Sequence, residues 1–214
     1  MFVAWEHVAS NFSDLRQRLG IVYCFNRPCA LHAVPWPQAA APAPAAPLTP
    51  RLRSAFSPRF SPSGATLAFL SQQAAVESGV HSGTAALHAL PWAGAAAGVL
   101  AGAPAPPPRT VVDVVWSPAD ADAFPGLYCS VLPDDPWVGE GTLLLTSQWG
   151  SATAIVAVDV ASGAITRASP PNGASWSLVA AGAGECSWRE GEGEAAIAGA
   201  VRTAAPPAAS CKGQ

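Results

Sequence analysis

An all-β fold, a partial β-propeller of about three recognisable blades whose ring does not close, is predicted for this 214-residue chain by three observations. First, one phrase occurs twice: ALHAVPW at 30–36 and ALHALPW at 86–92 lie 56 positions apart and differ only at Val34 against Leu90. Self-similarity at such a period marks stacked repeats. Second, short apolar runs alternate with Gly and Pro turns, while the 3.6-residue apolar period of helices is scarce. Third, these runs are apolar at consecutive positions. Both faces of such a strand need cover, which a sheet stacked between other sheets receives.

The elements follow in order. Residues 1–36 read as a partial blade made of FVAW (2–5), GIVYCF (20–25) and ALHAVPW, with room for about one helical turn between Asn11 and Leu19. Residues 37–56 are a Pro/Ala-rich insertion; the run PWPQAAAPAPAAPLTP (35–50) lacks the large apolar residues of a packed element and reads as an extended, polyproline-like loop. Residues 57–101 form a blade. Within FSPSGATLAFLS (60–71), Ser-Pro-Ser-Gly suits a type I turn and a strand begins near Ala65. Leu67 and Phe69 then face one side and Ala68 and Leu70 the other. After a loop from Glu77 to Gly83, ALHALPW supplies the next strand.

Residues 102–121 are a Pro-rich linker, GAPAPPPR (102–109), and a blade edge. Residues 122–180 form the third blade: DPWVGEG (135–141) as a turn, TLLLTSQWG (142–150) and ATAIVAVDV (152–160) as strands, the ASG turn, and AITRAS (164–169). Ala154–Val160 align under Ala86–Trp92 at an offset of 68. Residues 181–214 are a weakly patterned tail, in which acidic GECSWREGEGE (184–194) reads as a solvated connection and AAIAGAVRT (195–203) as the start of a further blade. The repeated phrase is thus the same inner strand in adjacent blades, and its His32 and His88 serve packing. The tryptophans at 5, 36, 92, 116, 137, 149, 176 and 188 fall at comparable strand ends and turns, as blade packing requires.

Composition narrows the function. Charged residues make up 12% of the chain, the net charge is -3, and no Lys/Arg run occurs, so the electrostatic footprint of a nucleic-acid binder is missing. Cys24, Cys29, Cys129, Cys186 and Cys211 are odd in number and irregular in spacing, unlike a disulfide framework. Cys24, Cys29 and His32 have no second ligand pair to complete a zinc site. The N-terminus lacks the basic region of a secretory signal, and the uncharged span from Val80 to Pro108 is broken by His81, His88 and Pro91, so no membrane partner is expected.

Several segments resemble the N-terminal propeller of the acylaminoacyl-peptidases, or acylamino-acid-releasing enzymes, of the prolyl oligopeptidase family of serine peptidases. They are LGIVYCFNRPCALHAV (19–34), SPRFSPSGATLAFLS (57–71), DAFPGLYCSVLPDDPWVGEGTLLLTSQWGS (122–151), VDVASGAITRASP (158–170) and SW (175–176). The resemblance covers about residues 1–180 outside the Pro-rich insertions. It implies a cytoplasmic enzyme that releases an N-acylated amino acid from short peptides. The propeller caps a separate α/β-hydrolase domain and limits access to small peptides.

In such enzymes the nucleophilic Ser sits on a Gly-x-Ser-x-Gly elbow, activated by His and oriented by Asp. This sequence has no Gly-x-Ser-x-Gly; the nearest string, GVHSG (79–83), has its serine one position late. No catalytic, cofactor-binding or metal-ligating residue is therefore assigned, and no cofactor is expected. The chain reads as cut at both ends and inactive alone, with the hydrolase domain and short N-acylated peptides as its partners. The other reading is a free-standing interaction scaffold that completes its ring as a homo-oligomer. An independent hydrolase would need an active site the sequence does not display.

Overall fold

The computed structural model describes residues 2–5, 29–34, 45–52, 54–73, 84–93, 95–129, 131–171, 173–182, 185–190 and 196–198. They form four antiparallel sheets in chain order, a partial β-propeller. The first holds β1 (Phe2–Trp5), β2 (Cys29–Ala33) and β3 (Ala46–Pro47). The second holds β4 (Phe56–Phe60), β5 (Thr66–Ser71), β6 (Ala86–Pro91) and β7 (Arg109–Val112), with the short helix α1 (Ala96–Leu100) between its last two strands. The third holds β8 (Trp137–Val138), β9 (Thr142–Trp149), β10 (Ala152–Asp159) and β11 (Ile165–Arg167). The fourth holds β12 (Trp176–Gly182), β13 (Glu185–Glu190) and β14 (Ala196–Ala198).

Each strand pairs with the strand before it, so every sheet is a meander whose local hairpins need no crossover. Among the described residues no helix is long and apolar enough to cross a membrane.

The ladders explain the repeated phrase. Thr66 pairs with Pro91 and Ser71 with Ala86 in the second sheet; Thr142 pairs with Asp159 and Ser147 with Ala154 in the third. Strands β6 and β10 are therefore equivalent at the offset of 68 read from the sequence. Strand β2 lies between β1 and β3 as β6 lies between β5 and β7.

Side-chain parity then fixes the stacking, because alternate residues of a strand face opposite sides. Leu67, Phe69 and Leu90 share a core with Leu31, Ala33 and Leu48 of the first sheet region. On the opposite face Ala68, Leu70, Leu87 and Ala89 share a core with Leu143, Leu145, Val156 and Val158. The far face of the third sheet, Leu144, Ile155 and Ala157, packs on Trp176 of the fourth. Equivalent positions thus face the same way in successive sheets: Leu31, Leu87 and Ile155 all point toward the sheet that follows. This is blade stacking.

Turns hold the ladders in register. In the Ser61–Gly64 turn the Gly64 N–H donates to Ser61 O at 2.8 Å, with Gly64 at φ 72°. After β10, the Asp159 carboxylate accepts from Ser162 N at 2.7 Å and Ser162 Oγ at 2.6 Å, closing the hairpin. Gly126, at φ +105°, passes so close to Thr84 that a Cβ there would lie 2.4 Å from Thr84 Cγ2.

The structure departs from the sequence reading at particular places. Residues 135–141 are not wholly a turn, since Trp137–Val138 form β8. Residues 185–190, within the stretch expected to be a solvated connection, are the middle strand of the fourth sheet; a hairpin partner on each side satisfies their backbone despite the charged side chains. Trp137 and Trp176 are buried in the cores, whereas Trp116 is 79% exposed and takes no part in blade packing. The expectations for residues 11–25, Trp36, the GVHSG string and residues 199–214 lie outside the described residues.

Two substitutions test this packing in urea unfolding. Leu145→Ala, at a fully buried position, is expected to lower stability by about 2–5 kcal/mol. Gly126→Ala combines positive φ with a clash and is expected to cost about 2 kcal/mol or more; an unchanged midpoint would show that the 113–136 connection does not hold the approach to Thr84.

Candidate functional site

The polar side chains closest to catalytic form are on the inner strands of the second sheet. Ser71 and His88 sit on neighbouring strands, and Ser71 Oγ is 2.8 Å from His88 Nε2. The other ring nitrogen is 3.3 Å from Thr110 Oγ1 of β7, and the Phe69 ring stacks on the imidazole at 5.2 Å. Burial holds the imidazole below its ordinary pKa, outweighing the opposing pull of the Asp113 carboxylate.

The chemistry open to this group is limited. A serine nucleophile needs a base oriented by a third group and a reachable oxyanion site. Here the third group is a hydroxyl, and Ser71 and His88 are 3% and 6% exposed. A neutral imidazole between two hydroxyls satisfies buried polar atoms across three strands, which is the packing role expected of the repeated histidine position.

The other residues singled out in the sequence do not converge. Cys29 and His32 are three apart on β2 and face opposite sides of the sheet, so they do not share one ligand sphere. The Cys29 thiol points to Ala55 O at 3.5 Å and Ser54 Oγ at 3.8 Å. Burial pushes the Cys129 thiol up to about 12, leaving it protonated and unreactive. No three His, Cys, Asp or Glu side chains among the described residues gather as a metal site.

Sequence reading missed an arginine clamp. A bulge in β4 puts Ser57 at φ 55° and turns Arg59 toward the segment leading into β8. Arg59 donates from Nε to Pro133 O at 2.5 Å, from Nη2 to Leu132 O at 3.0 Å and Asp134 Oδ1 at 2.8 Å, and from Nη1 to Pro58 O at 3.0 Å. Ser57 Oγ accepts from Leu132 N at 2.8 Å. The first strands of adjacent blades are thereby tied, and the guanidinium is spent on backbone oxygens and the Asp134 carboxylate. The only sequence signal was a cation inside a strand-like run, SPRF.

At the turns of the same two blades, Glu140 accepts from Ser63 N at 2.8 Å and Ser63 Oγ at 2.7 Å; the serine hydroxyl lowers its pKa. A cavity of about 880 Å³ opens between residues 45–52 and 99–108. Its walls are mostly Ala, Pro and Leu, with Thr49 and Arg51 as the polar side chains; no Asp, Glu, His or Cys lines it.

His88 gives the blades a pH dependence. Its folded pKa lies below the unfolded value of 6.5, so the unfolded chain binds the proton more readily and stability falls as pH drops below 6.5. Glu140 and Asp159, both lowered, lose their contributions only below their ordinary values of 4.5 and 3.8. Urea midpoints from pH 5 to 7.5 are expected to rise with pH, no more steeply than about 1.4 kcal/mol per unit for this one proton. His88→Gln should flatten that rise; a slope retained in the variant would assign it elsewhere.

Comparison with known proteins places this geometry. The family model "Acylamino-acid-releasing enzyme, N-terminal domain" matches residues 1–186. Acylamino-acid-releasing enzyme 1 of rice (Oryza sativa subsp. japonica) is 42% identical over 194 residues, covering 84% of this chain and 24% of that protein. Acylamino-acid-releasing enzyme 2 of rice is 39% identical over 208 residues, 84% of this chain and 25% of that protein. The acylamino-acid-releasing enzyme of Arabidopsis thaliana is 38% identical over 176 residues, 77% of this chain and 22% of that protein. The chain spans about a quarter of the length of these relatives. The match extends over most of the chain, and with it the chain belongs to the family of acylamino-acid-releasing enzymes, as part of their N-terminal domain.

Proposed function

We propose that this chain is the substrate-gating propeller portion of a cytoplasmic acylamino-acid-releasing enzyme and is inactive alone. The observation that carries the reading is the family match over residues 1–186, joined to relatives about four times as long. The chemistry then resides in a separate α/β-hydrolase domain, whose Ser, His and Asp cleave after the N-acylated residue of a short peptide. The propeller acts by shape. Its blades are held together by dry apolar interfaces and by the Arg59 and Glu140 ties, and a rigid cap of this kind excludes chains too bulky to reach the nucleophile.

A second reading, an interaction scaffold able to self-associate, is favoured by one feature. Trp116, Tyr128 and Val131, at 79%, 44% and 57% exposure, all lie on the connection between β7 and β8.

Two assays separate these readings. The purified chain should not hydrolyse an N-acetyl-alanyl reporter. Supplied to a propeller-deleted form of the rice enzyme, it should restore preference for short over long N-acetylated peptides by about tenfold or more, about 1.4 kcal/mol of discrimination. Turnover by the chain alone that a serine-directed phosphonate abolishes would overturn the gating reading. No change in size preference, with a discrete oligomer on size-exclusion chromatography, would favour the scaffold.

A further inference from the structure

Arg167 stands opposite Val156 in the ladder between β10 and β11, on the face of the third sheet turned toward the second. Its guanidinium carbon lies 6.0 Å from the centre of the Trp149 ring. Phe124 meets that ring edge-on, with centroids 5.4 Å apart and planes at 63°, and Trp149 Nε1 donates to Asp122 O at 3.1 Å. The β7–β8 connection is thus folded over the arginine.

Beneath this cover, Nε and Nη2 of Arg167 are both out of contact with solvent and have no hydrogen-bond partner. They are not a random pair. The two N–H groups lie along one edge of the planar guanidinium and point in parallel, the spacing that meets both oxygens of a carboxylate. Arg59, by contrast, has its donors on backbone oxygens and Asp134, and Arg109 donates to Val160 O of the neighbouring sheet. A buried cation with an open fork is unfavourable until an anion completes it.

We propose that Arg167 forms a carboxylate-binding site between the second and third blades. Both oxygens of a small monocarboxylate dock on Nε and Nη2, and its apolar part lies against Trp149 and Phe124. The exposed carboxylates of Asp120 and Asp122 on the covering connection disfavour a doubly charged anion, so a monocarboxylate binds ahead of phosphate. The site does not depend on the gating function proposed above, since it uses residues of this chain alone.

The test is thermal melting of the full 214-residue chain at constant ionic strength, titrated with butyrate and, in parallel, inorganic phosphate. Butyrate should raise the midpoint saturably, by about 5 °C or more at a hundredfold excess over its dissociation constant, with phosphate weaker. Arg167→Met should not respond, and Arg167→Lys, a point charge without the fork, should respond less. Equal shifts in the wild type and Arg167→Met, or none in either, would overturn the site. Binding seen only in Asp122→Asn would show that the Asp122 carboxylate fills the fork itself, and would overturn a site for free carboxylates.

Where melting is not cooperative, the arginine Nε–H resonances decide. One that moves with butyrate and is lost in Arg167→Lys supports the site; none moving overturns it.

Discussion

Everything in this fold depends on burying both faces of its middle strands. Leu67 through Leu70 are all fully buried on β5, and Leu143 through Leu145 on β9, so neither run has a side that water can wet. Full burial of a Leu or Phe side chain is worth about 1.5–3 kcal/mol, and on each face the cover comes from a neighbouring sheet. The sheets are therefore not independent units. The direct ties between blades described above are Arg59 to the segment before β8, Ser63 to Glu140 between turns, and Arg109 to Val160, while the buried Arg167 is a polar exception within an apolar interface.

The same constraint made much of the fold legible from sequence. An uninterrupted apolar run such as LAFL (67–70) is too short for a globular helix and too apolar for a one-faced strand, which leaves a stacked sheet. The copies at 30–36 and 86–92 then give the repeat, and the alternation of Leu67 and Phe69 against Ala68 and Leu70 gives the two faces. What escaped notice was chain that does not bury side chains in alternation. Strand β4 carries a bulge at Ser57 and a proline and an arginine that break the period, while β3 and β8 are two residues long. Strand β13 is charged, and α1 is rich in Ala and Gly, with Val99 in a core and Leu100 exposed.

Sites were less legible than strands, for a physical reason. A side chain's chemistry depends on neighbours brought from other strands. The sequence shows Ser71 and His88 without revealing that Thr110, a hydroxyl, occupies the place a carboxylate would need in a catalytic triad. It shows Arg167 inside AITRAS with nothing to indicate that Trp149 and Phe124 close over it. Family resemblance supplied what spacing could not, through the block at 122–151, where FPGLYC, the Pro-Trp step and the apolar strand occur together.

The unequal spacing of equivalent strands, 56 residues in one interval and 68 in the next, sits beside ladders that share the pairs from Thr66–Pro91 to Ser71–Ala86 and from Thr142–Asp159 to Ser147–Ala154. The difference in length falls outside these shared pairs, part of it in the connections and part in the two further pairs, Gln148–Thr153 and Trp149–Ala152, that extend the third sheet's hairpin. Insertions and deletions can thus accumulate outside the shared pairs while the core register is kept, so the outline of the surface is free to diverge while the interior stays recognisable. Distant relatives should be matched strand by strand, with gaps placed freely between strands and forbidden within them.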